Sequence, residues 1–205
     1  MMIYKLRQHF GNKCTSVYVN SKFTGFINTP LKQMKFCEAV EQSFKVPLRL
    51  STGNLDCPGA QRSIGFESNK KKLIKEIHEH SNVSPDFISD VLNSIPSVRG
   101  ITNIDLGLEE HWGNGLKPDL YILYVQPFMI TDLMHKLAKS EIIPSIPPYL
   151  FLSVCGNIFA NCYLNKVVSI SFGCPESRKN GGIGKNEIVV GLPFKVAVDL
   201  LHFYE

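Results

Sequence analysis

Two similar cysteine blocks constrain this chain more than anything else in it. The first runs Leu55-Asp56-Cys57-Pro58-Gly59-Ala60-Gln61-Arg62 and reaches Gly65. The second runs Phe172-Gly173-Cys174-Pro175-Glu176-Ser177-Arg178 and reaches Gly181. Each block follows another cysteine at nearly the same distance: Cys37 lies 20 residues before Cys57, and Cys155 lies 19 before Cys174. In each half one cysteine rides on a segment before a strand and the next sits on the turn after it. A helix packed against its own strand brings two such thiols together. Two halves placed face to face bring four to one point.

The segments between the cysteines fit that plan. Phe36, Val40 and Phe44 recur at a spacing of four, which predicts a helix over Lys32 to Phe44 with Cys37 beside its apolar face. Leu48 to Thr52 alternates as a strand, and Gly53-Asn54 is a turn signal. The last third repeats the order: Leu152 to Leu164 reads as helical, Val167 to Phe172 as a strand, and Cys174-Pro175 follows. Between them, Lys70 to His80 reads as a helix. Ser84-Pro85-Asp86 carries a helix-start pattern for Pro85 to Ser94, with Phe87, Ile88, Val91, Leu92 and Ile95 inward. Short strands are expected at Thr15 to Val19 and at Phe23 to Ile27. Asp119 to Val125 is the strongest strand, an apolar run of β formers suited to a place covered on both faces. Thr131 to Ser140 reads as a helix capped by Thr131, and Phe194 to Phe203 as the last one. The fold class expected is mixed α/β: one domain over 1–205, with a central mixed sheet flanked by helices and half-repeats near 30–66 and 150–184.

A chain of 205 residues buries enough surface to fold without disulfides. No secretory pattern opens it, and no apolar run reaches the roughly 18 residues a membrane span requires. The chain therefore reads as cytoplasmic, where its six cysteines are reduced thiols or ligands. The net charge of +4 owes much to Lys70-Lys71-Lys72 and Lys75, a solvated helix face and not a nucleic-acid patch. Neither nucleic acid nor membrane is an expected partner.

Four converging thiolates suit a structural zinc or a four-cysteine iron–sulfur cluster. The chain has no Cys-x-x-Cys pair, and ligands scattered over a folded domain match a [4Fe–4S] cluster better than zinc. Gly59 lets amides approach the sulfurs. Arg62 and Arg178 are placed to offset the negative charge of the centre or to hold a small anionic ligand. The alternatives stay open: a cysteine-dependent enzyme acting at Cys57 or Cys174, or a small regulatory or anion-binding domain with no metal, whose cysteines are only core. Cys162, seven residues after Cys155, is the substitute ligand, and Cys14 is a core or surface thiol. None of the six histidines lies near either Cys-Pro block in sequence. On a helix, His78 and His80 point to different faces. The Asn180 to Gly184 cluster matches no phosphate-loop pattern. Glu109 to Trp112 reads as a surface loop, or as a lid or a partner contact.

Taken together, Phe36-Cys37-Glu38-Ala39-Val40, Leu55 to Ala60 with Gly65, Pro118-Asp119-Leu120, Ser153-Val154-Cys155, Cys174-Pro175 with Arg178, and Gly191-Leu192-Pro193-Phe194 resemble a prokaryotic family common in anaerobes. It is domain of unknown function 169 (DUF169), of the ArCR type. The resemblance spans about residues 30–203. It implies cysteine at Cys37, Cys57, Cys155 and Cys174, and it implies no function. The second block departs from the family pattern, which often has Cys-x-Gly-x-Arg; here Arg178 is kept and the glycine is displaced. The expected role is redox, with a redox partner protein, or sulfur or metallocofactor handling.

Overall fold

The strand Leu120–Val125 fixes the layering of the molecule. All six of its residues are buried. Leu120, Ile122 and Tyr124 join one apolar core, whereas Tyr121, Leu123 and Val125 join another. Alternation at period two with both faces apolar places a strand between two layers. Each of these side chains, fully buried, contributes on the order of 1.5–3 kcal/mol.

A computed structural model describes residues 2–25, 27–30, 32–66, 69–112, 115–147 and 151–204. The strands are β1 (Cys14–Val19), β2 (Leu48–Leu50), β3 (Ile104–Gly107), β4 (Leu120–Val125), β5 (Ser169–Ser171) and β6 (Ile188–Pro193). They form one six-stranded sheet in the order β2-β3-β1-β4-β6-β5. Every ladder is antiparallel, and parallel pairing is confined to isolated bridges such as Ser145 with Ser169. One face carries α1 (Met2–Phe10), α6 (Pro127–Lys139) and α9 (Phe194–Leu201). The other carries α2 (Phe36–Ser43), α3 (Pro58–Ile64), α4 (Lys70–Ser81), α5 (Pro85–Ser94), a π-helical segment Ser153–Ala160 and α7 (Asn161–Asn165). A further short helix, α8 (Pro175–Asn180), follows β5.

The strand order reads alike from both edges. In the first half β1 leads through α2 to the edge strand β2, then through α3 back to β3. In the second half β4 leads through the π-helical segment to the edge strand β5, then through α8 back to β6. The equivalent strands β1 and β4 pair at the centre, Cys14 opposite Leu123 and Val17 opposite Leu120. Read from its two edges, the sheet thus sets β2, β3 and β1 against β5, β6 and β4.

Several expectations are corrected. No strand forms at Phe23 to Gly25, and Phe26 lies outside the described residues. α6 starts at Pro127 with Gln126 as its cap, four residues before Thr131, because proline fits the first helical position. Phe87 is 50% exposed, on the outer side of α5. Trp112 is neither lid nor surface: it is buried, with its ring 5.2 Å from Tyr18 and 5.4 Å from Phe23. Nearby, the Tyr121 hydroxyl donates to Glu109. Among the described residues no helix is long and apolar enough to cross a membrane.

Candidate metal centre

Four helices begin with a cysteine in the first turn. Cys57 is the N-cap of α3 and Cys174 the N-cap of α8, each followed by proline at the first helical position. That proline sets the backbone angle a first turn needs and has no amide hydrogen to leave unpaired. Cys37 is the second residue of α2, and Cys155 is the third of the π-helical segment. The first-turn amides of a helix have no partner within it, so they face outward and favour negative charge. The amides of Ala60 and Gly59 act on Cys57 in this way, as does that of Glu38 on Cys37. Cys174 goes further and closes a reciprocal cap. Its sulfur accepts from the Ser177 amide at 3.4 Å, and its own amide donates to Ser177 Oγ at 2.8 Å.

The four helix starts converge. Every pair among the sulfurs of Cys37, Cys57, Cys155 and Cys174 lies within electrostatic reach. Burial pushes the Cys37 thiol up to about 12, and the charges of Cys174 and Cys57 add to it. Burial also raises Cys57, opposed first by the Ala60 amide. Cys155 is driven well above its ordinary value by burial and then by the other three cysteines, while the Ser63 hydroxyl works against this. Cys37 and Cys155 are each 8% exposed and form the inner pair; Cys57 and Cys174 are half-buried and form the rim. All six cysteines are free thiols. Among the described residues no three His, Cys, Asp or Glu side chains are grouped as ligands of a metal ion.

The other two cysteines stand apart. Cys14 packs into the core on the opposite face of the sheet. Cys162 is buried on the near face with its Cβ 3.2 Å from where a Cβ on Gly191 would be, and the charge acting on it is that of Lys166.

A family model described as DUF169, uncharacterised ArCR, matches residues 17–202. The chain belongs to the DUF169 family. Searches of the curated proteins and of the solved structures each returned no match.

The remaining candidate residues of this DUF169 chain have structural duties. Arg62 donates to the carbonyl oxygens of Leu92 and Ile95, the latter at 3.2 Å, and so closes the end of α5; its charge also reaches Cys155. Arg178 donates to Phe172 O, to Gly184 O at 2.8 Å and to Glu187 O at 3.2 Å, tying the glycine loop to α8. Gly59 serves close packing as well as its amide: a Cβ there would stand 3.1 Å from Leu152 Cγ. Gly156 and Gly181 do the same work. A Cβ on Gly156 would stand 2.6 Å from Ile95 Cγ2, and one on Gly181 would stand 2.8 Å from Cys37 Cβ.

Lys35 is the cation that sequence reasoning missed. It caps α2, pairs with Glu176 on α8, and its charge lowers both Cys37 and Cys57. Its position inside the predicted helix, two residues before Cys37, was the available signal; the helix itself begins at Phe36. The same ion pair holds Glu176 below the usual carboxylate range, with Lys179 and His80 adding to the effect. His78 and His80 use their Nδ1 atoms on the backbone oxygens of Val83 and Glu76, at 2.8 and 2.7 Å.

Proposed function

We propose that this protein holds a four-cysteine iron–sulfur cluster of the [4Fe–4S] kind through Cys37, Cys57, Cys155 and Cys174, and acts in redox chemistry inside a reducing compartment. One observation carries the reading: α2 packs against α8 and the π-helical segment, α3 packs against that segment, and the cysteine at each of these four starts lies within electrostatic reach of the other three. The donor set fits such a group. It is all thiol, it is largely withdrawn from water, and first-turn amides face three of the sulfurs. A structural zinc typically staples a segment with little core of its own. Here Cys37, Cys57 and Cys155 already begin elements that share one apolar core, and α8, begun by Cys174, packs against α2. Bound there, a cluster supplies reversible one-electron chemistry.

The protein's own residues divide the work. Cys37 and Cys155 anchor the inner side, where burial excludes water. Cys57 and Cys174 form the rim, the side from which a redox partner protein or a small anion approaches. Lys35 and Glu176 bridge α2 and α8 at that rim, and Lys35 offsets thiolate charge. Because the buried thiols are protonated when empty, loading releases protons and is favoured by rising pH. A nucleophilic Cys57 would need a thiol lowered from its ordinary value, and burial moves it the other way.

The test is purification without oxygen, followed by iron and acid-labile sulfide analysis. A brown protein with both bears the reading out. A colourless protein carrying zinc keeps the site and changes its metal. A metal-free protein with one fast-reacting thiol favours the nucleophile.

A further inference from the structure

Ser177 is the third residue of α8 and is 1% exposed. A serine hydroxyl has one hydrogen to donate and two lone pairs to accept with. While Cys174 is a free thiol it uses all three. The hydroxyl donates to Cys174 O at 3.0 Å, and it accepts from the Cys174 amide at 2.8 Å and from the Cys174 thiol at 3.4 Å. A coordinated sulfur carries no proton and only accepts. The 3.4 Å pair then has one hydrogen left to join it, that of Ser177. A hydrogen bond to a charged sulfur is stronger than one to a neutral carbonyl. The move leaves no orphan behind, because Cys174 O also accepts from the Arg178 amide at 3.0 Å. Gly173 leaves the space free: its φ is 85°, and a Cβ there would stand 3.3 Å from Ser177 Oγ.

We infer that the Ser177 hydroxyl turns from the Cys174 carbonyl to the Cys174 sulfur when that sulfur becomes a metal ligand, and so tunes the bound centre from one side. This rests on the four-cysteine reading. The thiol proton leaves to solvent on coordination, and the hydroxyl proton stays on the serine. The first half has no counterpart, since the residue three places after Cys57 is Ala60 and Cys57 makes no side-chain cap. The two rim ligands are therefore unlike: Cys174 takes a hydroxyl as well as the Ser177 amide, which already lies 3.4 Å from its sulfur.

The experiment compares the full chain with Ser177→Ala and with Ser84→Ala. Ser84 caps α5 by accepting from the Phe87 amide, so its loss reproduces a lost helix cap without touching a cysteine. Each protein is loaded with iron without oxygen and, separately, with cobalt(II), which needs no cluster assembly. In Ser177→Ala the reduction potential of the iron form falls, because a hydrogen bond to a ligand sulfur favours the reduced centre. The thiolate-to-metal charge-transfer band of its cobalt form moves to longer wavelength. Its iron–sulfur stretching bands shift less in D2O than those of the unaltered chain, because one exchangeable hydrogen has left the sulfur. Ser84→Ala loses thermal stability and moves none of these. If Ser177→Ala keeps the potential, the band and the isotope shift of the unaltered chain, the hydrogen bond is overturned and the cysteine centre stands. Equal displacements in both variants also overturn it, since a lost cap alone would then account for them. If the unaltered chain takes up neither iron nor cobalt through thiolates, the centre itself is refuted and the hydrogen bond with it.

Discussion

The half that carries Cys37 and Cys57 and the half that carries Cys155 and Cys174 reach the same arrangement by different local means. Both place a three-residue strand at an edge of the sheet and follow it with a proline-started helix capped by cysteine. The first half then inserts α4 and α5 before returning to the sheet, and Arg62 reaches across to hold the end of α5. The second returns at once through Gly181 to Gly184, and Arg178 ties that loop down instead. One inner cysteine starts a regular helix, the other a π-helical segment. One rim cysteine closes a full capping box, and the other does not. What the halves share is the placement of sulfur at a helix start; what they do not share is the scaffolding that enforces it. The proposed four-cysteine centre would ask the same thing of both halves: a sulfur at a helix start.

Substitutions made in parallel test how far the likeness goes. The largest effect is expected from the cysteines themselves. Cys57→Ser in one half and Cys174→Ser in the other should each abolish bound iron, whereas Cys14→Ser and Cys162→Ser should leave it in place. Retention of full iron by either of the first two would break the equivalence.

Next comes pH. In the metal-free protein the inner thiols titrate above their ordinary value of 9.0, Cys37 at about 12. The unfolded chain loses these protons first, so the stability they contribute is complete below pH 9 and is lost as pH rises towards 12. The slope should be about 1.4 kcal/mol per pH unit for each such thiol. Urea unfolding across that range measures it. A flat profile would show that the inner thiols are not buried as pairs.

Two helix ends give smaller and unequal effects. Gly65 ends α3 with φ of 84°, and a Cβ there would stand 1.8 Å from Val98 O. Gly65→Ala should cost about 3 kcal/mol or more in unfolding experiments. Gly181 ends α8 with an ordinary φ of −99° and is constrained by contact alone, its Cβ position lying 2.6 Å from Ser177 O and 2.8 Å from Cys37 Cβ. Gly181→Ala should cost roughly 1–3 kcal/mol and also weaken metal retention. The smallest effect is Ser177→Ala, which opens the Cys174 capping box for roughly 1 kcal/mol. The equivalent position at the start of α3 is Ala60, which has no side chain with which to close a capping box.

Much of this was legible in the sequence where one signal dominated. The apolar run of β4 announced a central strand, and Ser84-Pro85 announced α5, because an oxygen cap followed by proline is unambiguous. The same proline signal stood at Cys57-Pro58 and Cys174-Pro175, but cysteine is not among the usual caps. α3 and α8 were therefore read as loops, although their positions decide where the rim sulfurs point. The likeness of the two Cys-Pro blocks was visible from spacing alone. The roles of Arg62 and Arg178 were not, because a guanidinium reaches backbone oxygens far along the chain as readily as a nearby anion. β3 was hidden in a glycine-rich stretch, since a four-residue strand carries little periodicity. Lys35 needed the contact between α2 and α8 to be seen at all.

The most direct test of a shared four-thiol centre is iron and sulfide content per chain after purification without oxygen. A [4Fe–4S] centre predicts about four of each, lost together when a cysteine is replaced in either half. A chain that emerges with neither iron nor another thiol-bound metal, and with the four thiols all open to alkylation, would contradict it.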